Sequence, residues 1–177
     1  MNNTAQKENT NKIVFNPPRP EMSREILYAT ALKLAKENPE LNSELSPKEI
    51  AEAITTALED CGSTDGYSLA KELDETCFWD ITAQSVEILE KYAYLLDDEF
   101  INAQEEWVKV NNIQPPFPNG SKVNFTWRLK EYTGVIKEVH KNVPACYVII
   151  DAYLDKEPIL GEFFVIKFEN CWLPSNN

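Results

Sequence analysis

From Thr82 to Val110, apolar residues fall at Val86, Leu89, Ala93, Leu96, Phe100, Ala103 and Trp107, in unbroken steps of three and four. That spacing lines one face of an α-helix. At about 1.5 Å per residue the helix would run roughly 40 Å, longer than most in a small domain. Its other side carries Glu87, Glu90, Asp97, Asp98, Glu99, Glu105 and Glu106. The rest of the chain must therefore cover a long apolar stripe and leave an acidic surface free.

The residues upstream supply the cover. A first helix is expected from Glu21 to about Asn38, with Ile26, Leu27, Ala31 and Leu34 inward and Pro39 ending it. Ser46-Pro47-Lys48-Glu49 then places a Ser cap, a first-turn proline and a Glu three residues after the cap. This is a capping box, and Leu45 and Ile50 are spaced for the hydrophobic staple around it. The helix that follows, with Ile54, Ala57 and Leu58 inward, meets Gly62, a residue suited to the left-handed closing position. A third helix is expected over roughly Tyr67 to Glu75, with Tyr67, Ala70 and Leu73 inward, and Phe78-Trp79 as a core plug at its end. Thr82 would cap the long helix, with Ile81 and Val86 as a second staple. The expected unit is four helices with short connections, the first three packed on the stripe of the fourth. A coiled-coil homodimer is the rival way to bury that stripe, so monomer and homodimer both stay open.

Downstream the period changes. Residues 111–120 hold Pro115, Pro116 and Pro118, a density that forbids helix and favours an extended linker. Val123, Phe125 and Trp127 then alternate with Lys122, Asn124, Thr126 and Arg128, as a half-buried strand requires. Gly134 to His140, Cys146 to Tyr153 and Phe163 to Phe168 read as further strands, and Cys171-Trp172-Leu173 closes the set. Four or five short strands in so few residues are too few for a sandwich but can close a small barrel. The expected class is α+β: a flexible arm over residues 1–20 able to dock through Ile13-Val14-Phe15, an acidic helical domain over 21–110, a Pro-rich linker over 111–120 and a small β-barrel over 121–177.

The succession Gly120-Ser121-Lys122-Val123, Tyr132-Thr133-Gly134-Val135-Ile136, Tyr147-Val148-Ile149-Ile150 and Val165-Ile166-Lys167-Phe168-Glu169-Asn170 resembles the SH3-like and KOW-like small barrels. The resemblance spans residues 120–173 and implies binding of peptides, proteins or nucleic acid. The layout of acidic helices, Pro-Pro hinge and small barrel also resembles small accessory proteins of phages and plasmids. Neither likeness brings a catalytic residue with it.

Charge separates the two halves. The formal total is −12; residues 21–110 alone hold seven Lys or Arg against 21 Asp or Glu, while residues 111–177 hold seven of each. The acidic segment would repel a phosphate backbone, so a protein partner with a basic surface is favoured over nucleic acid. Solubility alone is an equally simple reason for such charge. No apolar run is long enough to span a membrane, and the first twenty residues lack a signal-peptide core. Cys61, Cys77, Cys146 and Cys171 form no CxxC pair and read as reduced thiols of a cytoplasmic protein.

No pattern for catalysis accompanies the only histidine, His140, which reads as a structural residue near a strand end. Phosphate-binding loops, dinucleotide fingerprints and close metal-ligand spacings are missing, so no cofactor and no metal are expected. Asp97, Asp98 and Glu99 are consecutive and point in different directions on a helix. Two readings follow. In the first, the acidic face Glu87, Glu90, Asp97, Asp98, Glu99, Glu105 and Glu106 mimics a row of phosphates and occupies the basic groove of a nucleic-acid-handling complex. That would make the chain a non-enzymatic inhibitor, such as a phage anti-defence protein of the anti-CRISPR kind. In the second, Lys122, Arg128, Lys130, Lys137 and Lys141, with Trp127, Tyr132 and Tyr147 nearby, form a nucleic-acid face on the barrel. Against that second reading, the aromatics can equally be the barrel's own core.

Overall fold

The computed structural model describes residues 13–174. They form an α+β chain of four helices followed by six antiparallel strands. The helices are α1 (Arg24–Glu37), α2 (Pro47–Cys61), α3 (Gly66–Cys77) and α4 (Ala83–Val110). The strands are β1 (Lys122–Trp127), β2 (Lys130–Val139), β3 (Cys146–Leu154), β4 (Glu157–Pro158), β5 (Phe164–Lys167) and β6 (Cys171–Trp172). Of the described residues, 20–103 form one compact unit and 13–19 with 104–174 form the other, so the division falls inside α4.

In the helical unit, local signals set the helix ends. The Ser46 hydroxyl accepts from the Glu49 amide at 3.4 Å, and the Glu49 carboxylate accepts from the Ser46 amide at 2.8 Å. Gly62 closes α2 with a positive φ of 65°, a conformation that costs a residue without Cβ nothing. Asp65 caps α3, and the Thr82 hydroxyl accepts from the Ser85 amide at 3.1 Å to start α4. One core joins all four helices, from Ala31 and Leu34 of α1 through Ile50 and Ile54 of α2 and Leu69 and Leu73 of α3 to Leu89 and Leu96 of α4.

Three positions in that core differ from the sequence expectation. Tyr92, not Ala93, is the fully buried residue in the middle of α4, and its hydroxyl donates to the Leu27 carbonyl at 2.9 Å. Both fit a 3.6-residue stripe; the acceptor on α1 selects the one with a hydroxyl to satisfy. On α3, Leu69 points inward where Tyr67 was expected, and Tyr67 lies exposed. Of Phe78-Trp79 only Trp79 enters the core, because the αL turn at Phe78 (φ 55°) swings the preceding ring outward.

In the other unit, β3 and β2 pair along most of their lengths, β1 pairs with β2, and β6 returns to pair with β1 at Asn124↔Trp172 and Phe125↔Cys171. The far edge of β3 is shared, with β5 on its first half and β4 on its last two residues. The result is an open antiparallel sheet, and β4 is a strand that the sequence did not signal. Register shifts at Thr133/Val135 and Ile136/Glu138 bend β2. Gly134 sits at the first of them, where an added Cβ would meet the Ile149 side chain at 2.6 Å. Val123, Phe125, Ile136, Tyr147, Ile149 and Phe164 are buried in the core of this unit.

The arm expected to dock through Ile13-Val14-Phe15 packs through Phe15, and the Pro-rich segment is anchored as well. Residues 1–12 of the arm lie outside the described residues. Phe15 meets Trp107 edge-on at 5.5 Å, and the Trp107 indole N–H donates to the Pro17 carbonyl at 3.0 Å. Arg19 is only 8% exposed, and its guanidinium binds both oxygens of Glu169, at 2.6 and 3.1 Å. The same guanidinium donates to the carbonyls of Pro144 and Ala145 at 2.7 and 2.6 Å and to the Gln104 side chain at 3.2 Å. In the Pro-rich segment, Phe117 packs on this core, and the Tyr147 hydroxyl accepts from its amide at 2.7 Å while donating to its carbonyl at 2.9 Å.

Candidate functional site

The seven acids of α4 do not form one row. At about 100° per residue, Glu87 and Asp98 of the helical unit fall within roughly 20° of one line. Glu90 and Asp97 lie about 60–80° to one side of it, and Glu99 about 100–120° to the other. Glu105 and Glu106 are exposed but belong to the sheet unit.

Two of the seven already have partners. Glu90 accepts from the Gly66 amide at 2.6 Å, placing a carboxylate at the N-terminus of α3, where the helix dipole favours negative charge. Glu99 holds the Lys33 ammonium at 2.7 Å, and that hydrogen bond raises the lysine's pKa above its ordinary value. What α4 leaves exposed and unpaired within the helical unit is Glu87, Asp97 and Asp98. Lys91 and Tyr94, also exposed, share the Glu87–Asp98 line, so this stripe mixes acid with one cation and one phenol ring.

Acid elsewhere in the helical unit is more abundant than α4 alone suggested. Residues 20–103 carry six Lys or Arg against nineteen Asp or Glu, a balance of −13. Only Glu52, Glu59, Glu75 and Glu99 are in ion pairs, which leaves fifteen carboxylates without a cation within 4.0 Å among the described residues. Asp65 is held down to about 2, first by the Ser63 hydroxyl and then by the Ser68 side chain and amide. Glu49 is lowered by the Ser46 hydroxyl and amide.

Lys122, Arg128, Lys130, Lys137 and Lys141 are all exposed, but they divide between two ends of the β1–β2 hairpin. Arg128 and Lys130 sit at its tip, where Arg128 and Leu129 both take positive φ and Leu129 is 99% exposed. The Arg128 guanidinium lies 4.4 Å over the Trp127 ring. Lys122 starts β1 opposite Val135, about 17 Å along the strand from Trp127, with Lys137 two residues beyond Val135 and Lys141 in the loop after β2. The aromatics do not form a stacking platform beside them. Tyr132 and Tyr147 are buried, and Trp127 packs edge-on against Phe164 at 5.2 Å.

His140 has a structural occupation. Its Nδ1 accepts from the amides of Asn142 and Val143, at 3.1 and 2.9 Å, so the proton of the neutral ring sits on Nε2. All four cysteines are free thiols. Burial raises Cys146 and pushes Cys171 up to about 12. Among the described residues, no three His, Cys, Asp or Glu side chains come together in a set that could hold a metal ion. No described helix is long and apolar enough to cross a membrane. No protein-family model, curated protein sequence or solved structure matches the chain.

Proposed function

We propose that this protein works in the cytoplasm as a non-enzymatic binding protein whose acidic helical unit engages a basic surface on another protein. One observation carries the reading: fifteen carboxylates of residues 20–103 stand without an ion-pair partner among the described residues. Uncompensated charge of one sign attracts a partner of the other and accelerates its docking. In its sharper form the acids stand in for nucleic-acid phosphates and block a nucleic-acid-handling complex, as a phage-type inhibitor would. Glu87 and Asp98, about 16 Å apart along one line of α4, with Asp97 beside them, span several phosphate steps of a duplex. An SH3-like reading of the sheet unit accompanies this proposal, supported by its short bent strands and the return of β6 onto β1.

The test is capture from a host lysate with the tagged chain, followed by mass spectrometry and competition with duplex DNA. A basic nucleic-acid-binding protein should be recovered, displaced by DNA, and lost with E87K/D97K/D98K. Capture that survives those three reversals and is indifferent to DNA sinks the reading. Glu90 and Glu99 are left unchanged because their carboxylates also support the fold.

Nucleic-acid binding through Lys122, Arg128, Lys130, Lys137 and Lys141 remains the second reading, but the burial of Tyr132 and Tyr147 removes the stacking it needs. A salt-dependent gel shift, weakened in K122A/K130A/K137A, would favour it over the first.

A further inference from the structure

The helical unit contains a cleft of about 540 Å³ whose lining includes Gln84, Ser85 and Ile88 of α4. Leu41, after α1, and Ile88 of α4, both buried, lie among its lining residues. Phe78 stands in its wall, 88% exposed, at the αL turn that ends α3. Glu40, Glu44 and Asp80 line the same cleft, and none of them has a cation within 4.0 Å among the described residues. No Lys or Arg lines it.

We infer that this cleft receives an arginine side chain of the basic partner, with the guanidinium on the Phe78 ring and its N–H groups directed to Glu40, Glu44 and Asp80. The inference rests on the binding function proposed above and adds a specific anchor to it. Three properties select this occupant. An exposed ring face attracts a cation, and a planar guanidinium also stacks on it. Unpaired carboxylates supply acceptors for the guanidinium's fork of donors. Leu41 and Ile88 offer apolar contact to the three-methylene stem, which a long cationic side chain buries while its head group stays polar. A nucleic-acid phosphate is excluded by the same three carboxylates.

The geometry gives Phe78 a direct test, because Asn accepts the αL conformation and keeps the end of α3 intact. Amide resonances of the 15N-labelled full chain should be followed during titration with N-acetyl-arginine methylamide and with its neutral isostere, N-acetyl-citrulline methylamide. Saturable shifts centred on Leu41, Phe78, Asp80 and Ile88, produced by the arginine probe alone, are the expected result. Affinity should fall about tenfold in F78N and comparably in E40Q/E44Q/D80N. Equal shifts from citrulline, or no shift at these residues from arginine, would overturn the assignment. Capture from lysate by the E87K/D97K/D98K chain is read separately, so an empty cleft and a failed acidic-surface reading give different results.

Discussion

The Glu90 carboxylate accepts the Gly66 backbone hydrogen bond at 2.6 Å, and the two residues touch so closely that Gly66 tolerates no side chain. A Cβ added there would sit 2.5 Å from the Glu90 nitrogen and 2.7 Å from the Val86 carbonyl oxygen, both backbone atoms of α4. Helix α3 therefore starts against α4 with an acid from the neighbour on its first amide. Gly66→Ala must push two helices apart and should cost about 2–3 kcal/mol. Glu90→Ala leaves the buried amide unpaired and should cost about 1–2 kcal/mol, with Glu90→Gln milder because its carbonyl can still accept. Urea unfolding that ranks G66A, E90A and E90Q in that order supports the geometry; a silent G66A contradicts it.

How far such contacts could be read in advance depended on how far apart their residues stand. Ser46 and Glu49 are three residues apart, and the box they make was legible because its chemistry is local. The alternation from Lys122 to Trp127 was legible for the same reason, since a strand's two faces are written in adjacent residues. Tyr92 and Ala93 could not be told apart, because the choice depends on a carbonyl of α1 supplied 65 residues away. Glu90 looked like surface charge until Gly66 met it, and Asp97 and Asp98, which no chain neighbour meets, kept the exposure that the helical spacing gave them. The Phe78 cleft had no sequence signal, because Glu40, Glu44 and Asp80 come from segments separated by two helices.

Arg19 shows the same limit from the other side. A lone arginine among prolines gave no hint of burial, yet it joins Glu169, 150 residues away, and lies 5.3 Å over the Trp107 ring. Arg19→Met strands the Glu169 carboxylate beside two vacated carbonyls and should cost about 3 kcal/mol. Arg19→Lys cannot reproduce the fork and should recover only part of that. In R19M/E169L the stranded charge is gone, so the double variant should be more stable than R19M alone. Denaturant unfolding followed by tryptophan fluorescence reads all three; a double variant as unstable as the sum of its singles would show that the pair is not coupled.

Asp65 ties helix capping to pH. Its folded value of about 2 lies below the ordinary carboxylate range near 4, because the Ser63 and Ser68 groups bind its charged form. A depressed folded value means stability that is complete above about 4 and is lost as pH falls toward 2. Asp65→Asn keeps an oxygen to accept from the Ser68 amide, which Asp65 now does at 2.9 Å, so the cap survives at neutral pH. The variant should show a shallower loss of helical circular dichroism across that acid window than the parent. Identical acid titrations for the two proteins would remove Asp65 from the account.

The thiols should separate by unit. Cys146 and Cys171 are buried in the sheet unit, and loss of solvation raises both, Cys171 to about 12, so almost none of either is thiolate at neutral pH. Cys61 and Cys77 are half-buried at the ends of α2 and α3, and Cys61 donates only a long 3.4 Å hydrogen bond to the Ser63 carbonyl. Reaction needs an accessible thiolate; burial withholds both access and ionisation from Cys146 and Cys171, while Cys61 and Cys77 are open to solvent in part. Native protein treated with Ellman's reagent should therefore release two equivalents rapidly and two only as the sheet unit opens. C61S/C77S should abolish the rapid phase and leave the slow one, whose rate then reports opening of the β1–β6 edge that covers Cys171. A rapid phase that persists in C61S/C77S would place a reactive thiol in the sheet unit and contradict the burial that sets these values.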